Sequence, residues 1–329
     1  MKILAITIGD AEAGSSKFRL FQYRQMLQEK GVELEFVERD ELSSDFIPRA
    51  GEVDLVFNQK CLFRSGLQRR LLKAAKRVIF DFDDAIWTRP HRSHSLLTRL
   101  RVQRRFRLWL HNARPVIAAN QYLADYARRQ GAETVVLPMA LDLQRWQPRA
   151  TANDGPIRIG WAGSPVNLKY LERIEPVLAQ VISKRENVQL HVYSGARPKL
   201  SIPYEYTPFA PNTGPPFTAS LDIGLLPLED DEYLKGKSPI KAIQYMACGV
   251  PVVGNAYGAT KEILTPETGI PVTENQDWQQ ALTSLIDNRE LRRDLGMAGR
   301  AFVCARHDIR KVGMRLLDLI GGTQSNQKA

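Results

Sequence analysis

No apolar run in this sequence approaches the roughly 18 residues of a membrane-spanning helix, so no span is expected. Cysteine is scarce. Cys61, Cys248 and Cys304 are odd in number and far apart, which excludes a disulfide framework and suits a reducing cytoplasm. The segment Met1–Asp10 has too short an apolar core for a signal peptide, and no small-residue cleavage site follows. It reads as a first β-strand. There is no low-complexity segment and no short repeat, and only the polar tail 323–329 is expected to fray. What is present is ordinary globular composition, 329 residues with 43% apolar and 25% charged. That length suggests two domains, each able to bury a core.

Acidic residues are too few to balance the basic ones, and the shortfall lies in one half. Residues 1–150 hold 26 Lys+Arg against 17 Asp+Glu, a net +9, whereas 151–329 hold 20 against 19, a net +1. The halves therefore meet different ligands on this reading.

Short β-branched runs alternate with amphipathic stretches. Strands read at about 2–8, 33–37, 53–57, 77–82, 114–118 and 133–137, with helices near 16–30, 63–75, 95–112 and 120–130. The polar stretch 147–156 reads as a linker, after which the pattern restarts. Strands then read at 157–163, 188–194, 222–228, 251–255 and 269–272, with helices near 168–184, 239–248, 276–287, 289–304 and 308–320. The expected fold is α/β, with two doubly wound Rossmann-like domains facing across a cleft. Residues 1–148 form the first, 149–305 the second, and 306–322 a terminal helix packing back toward the first.

The loop from Gly9 to Lys17 nearly matches a phosphate-binding P-loop, but Ser15 stands where Lys is required. Its remaining roles are a simple turn or a cleft wall built from backbone amides. Lys237–Val253 is more informative. Ser238 is a suitable N-cap, Pro239 suits the first helical position, and Gly249 closes the helix ahead of a buried strand. Such a helix offers free amides and a positive dipole end to an anion, with Lys237 and Lys241 adding charge. Gln244, three residues on, shares a face with Lys241. A capped surface helix with solvated lysines is the plainer alternative.

This stretch, with its continuation Gly254–Ile263, resembles the donor-site signature of nucleotide-sugar glycosyltransferases of the GT-B fold, the large retaining family 4 in particular. That family carries E-x-M-A-x-G-x-P-V-V followed by G-x-x-E. Further matches are Gly160–Ser164, Val192–Gly195, Asp222–Pro227 and Leu295–Arg300, with Asn120–Ala124 and Val136–Asp142 in the first half. The chain departs where the family has two glutamates eight positions apart, since Gly236 and Gln244 stand there. Gln244 can still hydrogen-bond a hydroxyl but carries no charge. Ser164 replaces the family's Arg, and Lys169 falls where its Lys would. A variant subgroup is implied.

Asp81-Phe82-Asp83-Asp84 follows a buried strand. Carboxylates clustered at a strand end are costly unless paired or solvated, so they read as functional or metal-binding, with helix capping as the alternative. A phosphatase motif would want Thr or Val where Ala85 stands. In the family this strand end often bears His-Asp facing the reacting sugar, and Asp83-Asp84 would take those positions.

Between Arg89 and Arg114 there are eight arginines (Arg89, Arg92, Arg99, Arg101, Arg104, Arg105, Arg107, Arg114) and no acid. Val102, Phe106, Trp109 and Leu110 form an apolar stripe at helical spacing. Docking of that stripe onto its own sheet competes with membrane-surface association through the arginines. Nucleic acid is set aside for want of a stacking platform.

The resemblance implies a glycosyltransferase that moves a sugar from a nucleotide-diphosphate donor to a glycan or lipid-linked acceptor, with retention. Donor contacts would come from Ser164, Lys169, Ser194, Gly195, Lys237, Ser238, Lys241 and Gln244. Asp83 and Asp84 would be catalytic, and Gly14, Ser15 and Arg19 would line the acceptor side. No metal and no cofactor beyond the donor are expected. A binding protein without turnover, or an epimerase of the same fold, is the alternative. The cysteine usage implies a cytoplasmic protein, and the basic segment a peripheral position at the inner membrane.

Overall fold

The computed structural model describes residues 1–90, 94–150 and 155–322. Its contacts divide it into two units. The first comprises Met1–Ala140, Asp231–Ser238 and the segment from Ile309; the second comprises Leu141–Asp230 and Pro239–Asp308.

The first unit is built on β1 (Lys2–Thr7), β2 (Glu33–Glu38), β3 (Leu55–Gln59), β4 (Val78–Phe82), β5 (Val116–Ala118) and β6 (Thr134–Val136). They pair in the order β2-β1-β3-β4-β5-β6, every pair parallel. β3 and β4 are buried along their whole length, as strands covered on both faces must be. Because β2 turns outward from β1 while β3 starts the opposite run, the carboxyl ends of β1, β3 and β4 meet at the switch point. One face packs Phe80, Phe82, Phe106, Trp109 and Leu110 into a shared core, so the apolar stripe of helix Leu96–Asn112 docks onto its own sheet. Helix Ile309–Gly321 covers the other face, burying Val312, Leu316 and Ile320 against Ile3, Ala5 and Leu27.

The second unit holds β7 (Ile157–Ala162), β8 (Val188–Ser194), β9 (Glu205–Pro208), β10 (Ile223–Leu226), β11 (Val252–Asn255) and β12 (Ile270–Val272). Their order is β12-β11-β10-β7-β8-β9, again all parallel. The switch point lies between β7 and β10. Helix Ile240–Ala247 follows β10 and stops where Gly249 takes φ +70°. Gly249 N donates to Met246 O at 2.9 Å and Val250 N to Tyr245 O at 3.0 Å, the C-terminal glycine cap the sequence suggested.

Several elements differ from the sequence reading. The expected helix 16–30 is Gly14–Arg19, a 3-10 turn and Arg24–Glu29; the expected 168–184 breaks at Ile174, ahead of Pro176. Helices Phe46–Glu52, Gly214–Ala219 and Glu232–Gly236, and strand β9, were not anticipated. Of the expected linker, residues 151–154 lie outside the described residues, as do Arg92 and the tail 323–329. Before them Arg149 pairs with Asp222 of the second unit.

Candidate functional site

In the first unit the carboxyl ends of β1, β3 and β4 carry an interlocked set of polar side chains. After β3 the chain turns at Lys60, which takes φ +46°. A side chain in that left-handed region costs about 1 kcal/mol or more and is kept where the surroundings enforce it. Lys60 N donates to Asp81 O at 2.7 Å. The turn aims the ammonium back over the β4 end, where it lies 2.9 Å from Asp83 Oδ1 and also pairs with Asp84. Ser15, in the first turn of helix Gly14–Arg19, donates to Asp83 Oδ2. Gln59 Nε2 donates to Ser15 Oγ at 3.0 Å, and Ser16 Oγ to Gln59 Oε1 at 2.9 Å. One turn on, Arg19 forks onto Asp81 (Nε to Oδ2, 3.0 Å) and donates from Nη1 to Leu137 O at 2.6 Å.

Burial and charge set the protonation of this set. Burial pushes the Asp83 carboxyl up, but the Lys60 ammonium, the Ser15 hydroxyl and Arg19 outweigh it and hold Asp83 below the ordinary carboxylate range. Asp84 goes the other way. Burial and the neighbouring Asp83 charge raise it despite Lys60 and Lys237. Lys60 is pulled down by burial and raised further by the two carboxylates, so it stays charged.

Segment Asp231–Ser238 belongs to this unit. Asp231 caps helix Glu232–Gly236 by accepting from Tyr233 N and Leu234 N, and the Tyr233 phenol lies against Asp84. Trp87 Nε1 donates to Glu232 Oε1 at 3.0 Å. Asn120 Nδ2 donates to Gly236 O at 3.0 Å and to Ser238 Oγ at 3.1 Å. A Cβ on Gly236 would lie 2.8 Å from Ala85 Cβ and from Leu123 Cδ2. No side chain fits there, so the glutamate found at this place in the resembled family is excluded by packing.

The structure thus brings Ser15, Asp83 and Asp84 together, and adds Gln59, Lys60 and Tyr233, which the sequence reading missed. Arg19, expected on the acceptor side, is 2% exposed and spends its guanidinium inside the unit. Gly14 opens its helix at an exposed position. Ser238 was expected to cap the following helix. Instead Pro239 is the N-cap, and the Ser238 hydroxyl is taken by Asn120.

The second unit places the remaining candidates at the carboxyl edge of its sheet. Lys241 Nζ donates to Gln244 Oε1 at 3.0 Å along one helix face, and Gln244 is buried. Ser164 ends the β7 loop and accepts from Asn167 Nδ2 at 3.1 Å; the exposed Lys169 ammonium sits 5.1 Å from the Tyr170 ring centre. Ser194 ends β8 fully buried, its hydroxyl without a hydrogen bond among the described residues, and Gly195 beside it is exposed. A cavity of about 260 Å³ opens beyond β10, β11 and β12, lined by Tyr170, Arg173, Glu229, Asn255, Tyr257 and Trp278 among others. Ligands bind at such edges, yet none of the sequence-derived donor residues lines this cavity. Among the described residues no group of three or more His, Cys, Asp or Glu is placed to hold a metal ion, and no helix is long and apolar enough to cross a membrane.

Two parallel six-stranded sheets with helices on both faces define the GT-B fold, and solved structures share it along nearly the whole chain. HepE of Anabaena, crystallised with UDP and glucose, superposes with a TM-score of 0.71 at 16% identity over 98% of this chain and 100% of that one. Sucrose-phosphate synthase of Thermosynechococcus elongatus gives 0.74 at 16% identity, over 99% and 100%. Residues 173–318 match the model of the family described as glycosyl transferase-like. A GDP-mannose-dependent monoacylated phosphatidylinositol monomannoside mannosyltransferase of Corynebacterium glutamicum is 36% identical over 81 residues. That match covers 24% of this chain and spans 21% of the relative's length.

Proposed function

We propose that this protein is a glycosyltransferase moving a sugar from a nucleoside-diphosphate donor to a glycan or lipid-linked acceptor, with retention and without a metal. The observation that carries the reading is the glycosyl transferase-like domain, whose Lys241–Gln244 helix face stands at the carboxyl edge of the second sheet. Lys241 and the helix amides meet the diphosphate, and Gln244 meets a ribose or sugar hydroxyl. Ser164, Lys169, Ser194 and Gly195 belong to the same edge. In the first unit Asp83 and Asp84 orient the reacting partner, with Lys237 adding charge beside Asp84. The UDP held by HepE and the GDP-mannose named for the mannosyltransferase support this donor class.

Thermal stabilisation across UDP-, GDP- and dTDP-sugars is the direct test, since a ligand at 100 times its Kd adds about 2.7 kcal/mol. Lys241→Ala is expected to weaken the stabilising nucleoside diphosphate roughly 10- to 100-fold, the worth of a charge-assisted hydrogen bond. Nucleoside binding should not change. Equal losses for both ligands place Lys241 away from the phosphates. Gly236 and Gln244, where the resembled family has glutamates, favour a second reading, a donor-binding protein without turnover. Release of free nucleoside diphosphate from the stabilising donor separates the two.

The acceptor reading gains from helix Leu96–Asn112. Its inner stripe is core, but Leu96, Leu97 and Leu100 are 78%, 66% and 61% exposed at its start, beside exposed Arg99, Arg101 and Arg104. Leucines that enter the interface, with arginines at about 1 kcal/mol each on an anionic surface, give reversible attachment. Co-sedimentation with anionic but not neutral vesicles is expected, declining between low and moderate salt. Arg101→Glu with Arg104→Glu should abolish it and leave donor binding intact. Equal binding to both vesicle types removes the membrane from this reading.

A further inference from the structure

The β4 end presents two adjacent carboxylates and one buried cation, and the two acids are not equivalent. Asp83 is enclosed, with a side chain 4% exposed; Ser15 and Lys60 occupy its oxygens. The Asp84 side chain is 16% exposed and shares the same ammonium. Lys60 itself is held by a left-handed turn whose amide is tied to the Asp81 carbonyl. A lysine is strained in that conformation, which a glycine would take without strain. Reaching both carboxylates from the β3 end is what the conformation accomplishes.

We propose that Lys60 is a positioning residue for the reaction: it pins Asp83 as a permanent anion and leaves Asp84 as the carboxyl that exchanges a proton with a substrate hydroxyl. The inference rests on the reading of the β4 end as the place where the sugar or its acceptor is handled. A third carboxyl faces the pair: Asp81, raised by burial and by the Asp83 charge and lowered by Arg19, which holds it in a fork, so it stands apart from this division. Arg19, Ser15 and Lys60 stabilise charge on Asp83. Asp84 feels the Asp83 anion on its own strand end, Lys60 after β3, and Lys237 and the Tyr233 phenol from segment Asp231–Ser238. Two carboxylates sharing one cation separate in proton affinity, because the second ionises beside the charge of the first. A polysaccharide or lipid-linked sugar supplies the alcohol that such a carboxyl serves.

The test follows the Asp carboxyl carbons by NMR across pH, with nucleoside diphosphate release measured over the same range. Lys60→Gln should move the titration at this site upward by one pH unit or more, a tenfold gain in proton affinity, because the carboxylates lose their cation. The acidic limb of the rate profile should move with it, and Lys60→Arg should restore both. In the otherwise unaltered protein, Asp84→Asn should abolish the higher of the two titrations and Asp83→Asn the lower, which keeps the test decisive should Lys60→Gln not fold. Unmoved titrations in Lys60→Gln, or the reverse assignment of the two acids, overturn the proposal. A protein that releases no nucleotide from any donor fails as a transferase, while the carboxyl titrations still decide the role of Lys60.

Discussion

Arg19→Leu is expected to destabilise the first unit by about 3–5 kcal/mol, the cost of leaving one partner of a buried ion pair uncompensated. Arg19 and Asp81 are each about 1% exposed at their side chains, and the guanidinium also satisfies the Leu137 carbonyl. Removing it strands a carboxylate in the sheet where water cannot follow. At roughly 2–4 °C per kcal/mol for a unit of this size, calorimetry should show a fall of about 6–20 °C. Replacing both partners, Arg19→Leu with Asp81→Leu, should recover much of the loss, because apolar substitutes often match a buried pair. A stable Arg19→Leu protein that has lost turnover would return Arg19 to the acceptor contact its place in the chain suggested.

That arginine shows where sequence reading stops. The alternation of strands and helices, the Gly249 cap and the shared face of Lys241 and Gln244 are local patterns, written in spacing and visible without coordinates. Asp83 and Asp84 stood out because carboxylates at the end of an apolar strand demand a partner. The partner did not. Lys60 lies 24 residues before Asp84, in the turn after β3, and nothing local marks one lysine among many as the buried one. Ser238 before Pro239 has the look of a cap, yet its hydroxyl is claimed by Asn120 from 118 residues away. Strand β9 is missed for another reason: Glu205–Pro208 is an edge strand with no fully buried residue, so it leaves no alternation to read. Exposure of Leu96, Leu97 and Leu100 was equally hidden, because composition alone cannot tell a solvent-facing leucine from a core one.

Asp83→Asn should cut turnover about 100-fold or more while leaving donor affinity and stability nearly unchanged. The substitution is close to isosteric: the new amide oxygen can still accept from Ser15, the amide nitrogen then faces Lys60, and the ammonium turns wholly onto Asp84. Lys60 keeps Asp84 as its counter-ion, so no bare charge is stranded and the fold has no reason to fail. What disappears is a fixed negative charge at the strand end. A preorganised charge aimed at a developing one is worth about 10²–10³ in rate when removed singly. An interaction made only in the transition state lowers kcat and kcat/KM together, whereas lost ground-state binding raises KM alone. Steady-state kinetics with the donor found by thermal stabilisation distinguishes these outcomes. Full activity in a folded Asp83→Asn protein would leave the aspartate as a scaffold for Ser15 and Lys60; a rise in KM alone would make it a binding contact. The helix proposed to meet the donor, with Lys241 and Gln244, lies in the other unit, so donor affinity serves as an internal control against general damage.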